Sequence, residues 1–178
     1  MAIRWSNAPA PDPLPVLPGR DGVGDVHIVP AVQLEVFAHL AEKPVEQGGL
    51  LIGRAWRGGS AGAPGAVSHV RIDKSVGARE ADGSAISLRM EGSVWSAARA
   101  LLGPGELIVG WYHSHPGLSA FFSDTDRRTQ AAFFHHDYSI GWVIDPWSGE
   151  EALFIGPDCQ PVERGPAAGE PESEPSGG

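Results

Sequence analysis

Hydrophobic and polar positions come in blocks along residues 25–157, and the period of each block predicts an element. "DVHIV" (25–29) reads as a short strand. Pro30 then opens a helix to about Lys43, because proline suits a first helical turn. In that helix Val32, Val36, Phe37 and Leu40 recur at helical spacing and give one buried face. "GGLLIGRAW" (48–56) predicts a strand, "RGGSAGAPG" (57–65) a glycine-rich turn, and "AVSHVRIDKSV" (66–76) another strand. The loop "GAREADGSA" leads to a strand near "ISLRM" (86–90). Residues 91–102 predict a second helix with Val94, Trp95, Ala98, Leu101 and Leu102 inside, broken by "GPGE". The strand "LIVGWYH" (107–113) follows, then a third helix from Ser123 to about His136. Strands "YSIGWVID" (138–145) and "EALFIG" (151–156) close the pattern around the turn "PWSGE". The alternation predicts an α/β sandwich, a single domain whose mixed sheet is flanked by helices.

The ends break the pattern. Five prolines within the first 18 residues predict an extended, poorly packed leader over 1–24. The stretch "ERGPAAGEPESEPSGG" has no large aliphatic or aromatic residue, so 161–178 reads as a disordered acidic tail and 25–160 as the folded domain. The chain ends in Gly177-Gly178, the terminus that ubiquitin-like modifiers expose; after an acidic tail it reads as a flexible end.

With 178 residues, 42% of them hydrophobic, one domain has enough material for a core. A net charge of −9, with no block of basic residues, argues against nucleic acid as partner. One cysteine, Cys159, excludes an internal disulfide and suits a reducing compartment. No apolar run resembles a signal-peptide core or approaches the ~18–20 residues of a membrane span. A soluble cytoplasmic protein with no membrane partner is the expectation.

The chemistry concentrates in "GWYHSHPGLSAFFSDTD" (110–126). On a strand, residues two apart share a face, so His113 and His115 can present two imidazoles to one ion. Zinc takes histidine nitrogen and carboxylate oxygen, and catalytic sites use three protein ligands and one open position. Asp124 and Asp126 both follow; Asp126, eleven residues after His115 and just inside a helix, is a candidate third ligand. Ser123 stands where a helix N-cap is expected, with acids in the first turn. Trp111 and Tyr112 fall on opposite faces of their strand. His135, His136 and Cys159 invite a second zinc site, but their spacing matches no defensible ligand pattern. His27, His39 and His69 read as ordinary strand and helix residues.

Upstream, "EQGGLLIG" sets Glu46 before a strand with Gly49, Leu51 and Gly53 at fixed offsets. Glu-x-x-Gly-x-Leu-x-Gly, together with His-x-His-x7-Ser-x-x-Asp, resembles the JAMM (MPN+) zinc metalloprotease family in its prokaryotic form. "VGWYHSHPGLSAFFSDTD" is similar to the deubiquitinating branch, and "VIDP" (143–146) also fits. The likeness spans roughly residues 26–157. It implies a single MPN-like (cytidine-deaminase-like) domain in which His113, His115 and Asp126 bind one zinc, with water in the fourth place. Asp124 is then left to the helix end. Glu46 would deprotonate the water and pass the proton to the leaving amine, and Ser123 would hydrogen-bond the oxyanion.

The implied activity is that of an isopeptidase or peptidase cutting after the C-terminal glycine of a ubiquitin-like protein, in maturation or in removal from targets. One alternative is release of an amino acid from a sulfur-carrier protein ending in Gly-Gly. Another is a non-catalytic binding module. The segment 76–90 lies where the family's substrate-gripping insertion is found.

Overall fold

The computed structural model describes residues 14–17, 25–60, 62–78 and 92–165. Its elements run β1 (Asp25–Ile28), α1 (Pro30–Ala41), β2 (Gly48–Ser60), β3 (Ala63–Gly77), α2 (Gly92–Ala100), β4 (Leu107–Ser114), α3 (Asp124–Phe133), β5 (Ile140–Ile144), β6 (Glu151–Ile155) and β7 (Gln160–Val162). The strands form one seven-stranded sheet in the order β1-β3-β2-β4-β5-β6-β7. β1 pairs with β3 and β4 with β5 in parallel, and every other pairing is antiparallel. This is the mixed sheet that the hydrophobic pattern predicts.

Successive side chains of a strand point to opposite faces, so each face of the sheet buries its own apolar layer. On one face Val32, Val36 and Leu40 of α1 pack against Leu51, Val70, Ile72, Tyr112 and Trp142. On the other, Val94 and Ala98 of α2 join Leu50, Ile52, Trp111, Val143, Phe122 and Phe134. Phe37 lies only partly in the first layer, but the helical spacing of its neighbours places α1 as expected.

Four details differ from the pattern. α2 stops at Ala100, which leaves Leu101 and Leu102 exposed rather than inside. Gly103 follows those two residues, its N–H taken up by the Glu106 carboxylate at 2.8 Å. The glycine-rich stretch 57–65 is not a long turn; pairing continues through Gly59↔Pro64 and Ser60↔Ala63, with Gly59 at φ +97°. Glycine's poor strand propensity is an entropic and packing cost, and a long ladder can override it.

Part of the expected loose leader is packed: Leu14 and Leu17 are buried, and the segment bonds β2 through Leu17 N–H to Arg57 O (2.7 Å) and Arg57 N–H to Pro15 O (2.9 Å). At the other end β7 carries order past residue 160, and Gly165 donates its N–H to Val26 O of β1 at 2.8 Å. The chain just past β7 therefore reaches β1, at the other end of the strand order. The rest of the leader and tail, and the strand expected at 86–90, fall outside the described residues. No helix among the described residues is long and apolar enough to cross a membrane.

β4 lies in the middle of this sheet, and glycines let its neighbours approach. A Cβ on Gly110 would sit 2.0 Å from the backbone oxygen of Ile140 on β5, whereas one on Gly62 would meet nothing within 4 Å. Gly110→Ala is therefore expected to cost about 3 kcal/mol through overpacking, and Gly62→Ala to stay within about 0.5 kcal/mol. Urea unfolding of both variants checks the contrast.

Candidate metal centre

β4 ends at Ser114, but the extended register persists: His115 donates its N–H to Ile144 O of β5 at 2.9 Å. Strand period then lines up Trp111, His113 and His115 on the face toward α3, with Tyr112 and Ser114 on the opposite face. The chain turns back through Gly117 and Ser119, both at positive φ (72° and 70°), and enters α3. Ser123 caps that helix reciprocally. Its Oγ accepts the Asp126 N–H at 3.1 Å, and the Asp126 carboxylate accepts the Ser123 N–H at 2.8 Å. This capping box fixes Asp126 with its carboxylate facing the two imidazoles.

His113, His115 and Asp126 are all buried, and one ligand atom from each lies within 4.8 Å of the others. His113 Nε2 is 3.1 Å from Asp126 Oδ1, and His115 Nε2 is 3.2 Å from Asp126 Oδ2. Four ligands at 2.0–2.1 Å around a tetrahedral zinc stand about 3.3 Å apart, and a group whose ligand atoms all lie within 4.8 Å of one another can converge on such an ion. Beyond that approach to Asp126, neither nitrogen of His113, nor Nδ1 of His115, has an aligned hydrogen-bond partner among the described residues, although each is shielded from solvent. A buried polar atom left unpaired is costly, and a cation on Nε2 would answer that cost for His113. The three residues fit a zinc ion.

The electrostatics agree. Burial pushes the His113 pKa down, against the opposing pull of Asp126, and so favours the neutral ring with a free lone pair. Burial alone would raise the Asp126 pKa. The close imidazoles and the Ser123 N–H outweigh it and hold the carboxyl far below its ordinary value. Neutral histidine and ionised aspartate are the forms a metal needs.

Glu46 is half-buried just ahead of β2. Gly48 pairs directly with His113, and Glu46 stands two residues ahead of that pair. Two bonds hold this junction: Ser114 N–H to Gln47 O and Gln47 N–H to Ser114 Oγ, both 2.9 Å. The charge of Glu46 acts on the His113 ring, in the direction that raises its proton affinity. A Cβ on Gly48 would lie 2.6 Å from Tyr112 O and 3.3 Å from His113 Cβ, so glycine there lets β2 close on the histidine strand.

The remaining candidates lie elsewhere. Asp124 is exposed in the first turn of α3. His135 stacks on His136 (4.8 Å between centroids), and His136 on Tyr138, while Cys159 is buried in the second core layer. Among the described residues these do not form a second ligand group. His27 and His69 stack beside Asp25, near the start of β1. His39 bonds the Tyr112 hydroxyl (2.7 Å) on the opposite face of the sheet.

Two residues near the site escape the sequence pattern. Asp145 accepts N–H bonds from Gly117 (3.0 Å), Trp147 (2.9 Å), Ser119 (3.2 Å) and Ser148 (3.4 Å). The Gly117 N–H above all, with the others, brings its pKa down to about 2 and clamps the loop that follows His115. Its place in "VIDP" was visible, but not its reach across 28 residues of sequence. Gln130 is fully buried on α3, and its only advance signal is a polar side chain one turn beyond Asp126 on the inner helix face.

Comparisons with known proteins place the chain in a family. The family model for prokaryotic homologues of the JAB domain matches residues 30–151. A Theionarchaea archaeon protein named NAD(+) hydrolase TcpA is 34% identical over 103 residues, 57% of this chain and 28% of that protein. Ubiquitin carboxyl-terminal hydrolase RPN11 of Saccharomyces cerevisiae is 40% identical over 45 residues, 25% of this chain and 15% of that protein. The chain thus spans less than a third of the length of these curated relatives. The solution structure of a Desulfitobacterium hafniense protein superposes with a TM-score of 0.51 at 22% identity, over 73% of this chain and 83% of that one, a likeness of fold.

Zinc is expected to bind one per chain, and Asp126→Asn to weaken it by more than the ~10–100-fold that outer partners cost; competition with a chromophoric chelator measures both. Asp145 has a depressed folded-state pKa, so its stabilisation is full above pH ~4 and fades as the pH falls toward about 2. The stability gap between the parent and Asp145→Asn should shrink over that window in acid-unfolding curves.

Proposed function

This chain belongs to the family of prokaryotic homologues of the JAB domain, and on that premise we propose that it is a zinc-dependent peptidase or isopeptidase. Its bond would be the one after the C-terminal glycine of a ubiquitin-like protein. The observation that carries the reading is the buried His113–His115–Asp126 group; Glu46, outside that group, carries a charge that acts on the His113 ring. The match to RPN11, whose name describes hydrolysis at a ubiquitin C-terminus, supports the substrate class.

When bound, zinc polarises a carbonyl and lowers the pKa of a coordinated water toward ~7. The chain's own groups do the rest. Glu46, not being a ligand, is free to take the proton of the attacking water and hand it to the departing amine. Ser123 uses an Oγ lone pair to accept the Asp126 N–H, and a hydroxyl keeps its single proton to donate. That donor sits on the helix that supplies Asp126, so cap and ligand hold it in place for a developing oxyanion. The substrate's extended tail would add as a strand beside a sheet or loop edge; of the segment 76–90 expected to grip it, residues 79–90 lie outside the described residues. Ala78 at its start already pairs with Gly48 O at 2.9 Å.

Glu46→Gln is expected to lower cleavage of a ubiquitin-like protein fused through its C-terminal glycine by ~10²–10⁴-fold, with zinc content unchanged. Ser123→Ala should lose ~10²–10³ in kcat and about 1 kcal/mol of helix-cap stability, which thermal unfolding separates. Unimpaired cleavage by Glu46→Gln would sink the mechanism. Cleavage only of a carrier bearing a single C-terminal amino acid would favour the sulfur-carrier reading. A zinc-loaded parent inert on both substrates would favour a binding module, and NAD+ consumption by the parent alone would redirect the assignment.

A further inference from the structure

Metal-ligating histidines usually fix their ring plane by donating the second ring N–H to a carboxylate, a carbonyl or water. His113 departs from that habit: its Nδ1 is buried and has no hydrogen-bond partner among the described residues. Its ring plane is set instead by stacking. The Trp111 indole lies against it with 4.4 Å between centroids and 8° between planes.

What then holds Trp111? Its Nε1–H donates to Gln130 Oε1 at 2.5 Å. The Gln130 amide nitrogen in turn donates to Ser139 O (3.0 Å) and Gly156 O (3.3 Å), carbonyls at the start of β5 and just past β6. Each of its polar hydrogens thus has an acceptor, and flipping the amide would set NH2 against the indole N–H, so only one orientation is satisfied. The side chain is fully buried, and β5 makes room for it: a Cβ on Gly141, which pairs with Trp111, would lie 2.9 Å from Gln130 Oε1.

Gln130 also stands four residues after Asp126 on α3, hence on the same helix face. One helix face therefore carries a metal ligand at one turn and, at the next, the anchor of the surface on which another ligand rests.

We propose that Gln130 is a positioning residue for the metal centre. Through Trp111 it fixes the plane of His113, and through α3 it fixes the separation of His113 from Asp126. This rests on the reading of His113, His115 and Asp126 as a zinc site.

Two variants test it. Gln130→Met keeps the bulk but leaves the indole N–H unpaired, and Trp111→Phe keeps a flat ring under His113 but removes the donor. Each is expected to weaken zinc ~10–100-fold in chelator competition and to alter the visible absorption bands of the cobalt-substituted protein. The double variant should lose no more than the worse single one, because the two side chains act as a unit. Val36→Ala, a truncation in the opposite core layer, should lower thermal stability yet leave affinity and cobalt spectrum as in the parent.

Parental affinity and spectrum in a folded Trp111→Phe or Gln130→Met would overturn the positioning role while leaving the zinc site intact. So would an equal loss of affinity in Val36→Ala. A parent that binds no zinc would overturn the site reading itself.

Discussion

The register of β4 is the constraint on which everything else in this molecule rests. The strand runs between β2 and β5, and its period of two sends Trp111, His113 and His115 one way and Tyr112 and Ser114 the other. A slip of one residue would turn both imidazoles into the α1 layer and set Tyr112 toward α3. Close backbone approach guards against that slip. Gly48 and Gly110 admit neighbouring strands where a Cβ would collide with main-chain atoms, and aromatic groups fill both faces of the strand. The two apolar layers thus act as a jig that fixes which way the histidines point.

A jig of that kind has an electrostatic consequence. His113 and Asp126 are held in a space that water barely reaches, so burial and near neighbours govern their protonation more than solvent does. Asp126 stays ionised because the imidazoles and its own cap outweigh the penalty of burial, and His113 stays neutral because its burial dominates. The helix cap is part of the same arrangement. Ser123 and Asp126 satisfy each other's backbone N–H groups, so α3 begins at the place where its third residue serves the site. Asp145 does the comparable work for the loop after His115, gathering four N–H groups onto one carboxylate.

Much of the fold was legible from the order of residues. Period-two and helical spacing located all the long elements among the described residues, since burial of one face imposes those periods. The failures share a cause. Leu101 and Leu102 look like continuations of a buried stripe, but the helix ends at Ala100, before they can turn inward. Residues 57–60 and 63–65 look like a turn, but they are held in a ladder whose partner strand is supplied by the hairpin as a whole. Leu14 and Leu17 look like isolated residues in a proline-rich lead; the β2 edge that receives them lies some 40 positions downstream.

The site divides along the same line. By itself the sequence determined which residue types could bind a metal and at what spacing, because strand period and helix-cap chemistry are local and operate within a few residues. That is why His113, His115, Ser123 and Asp126 could be named from one short stretch. Only the tertiary structure decided that Gly48, two residues after Glu46, pairs with His113, that Asp145 holds their loop, and that Gln130 reaches Trp111. Those relations depend on strand order and on the packing of α3 against the sheet. Contacts between positions far apart in the chain exist only once the intervening elements have been folded into place.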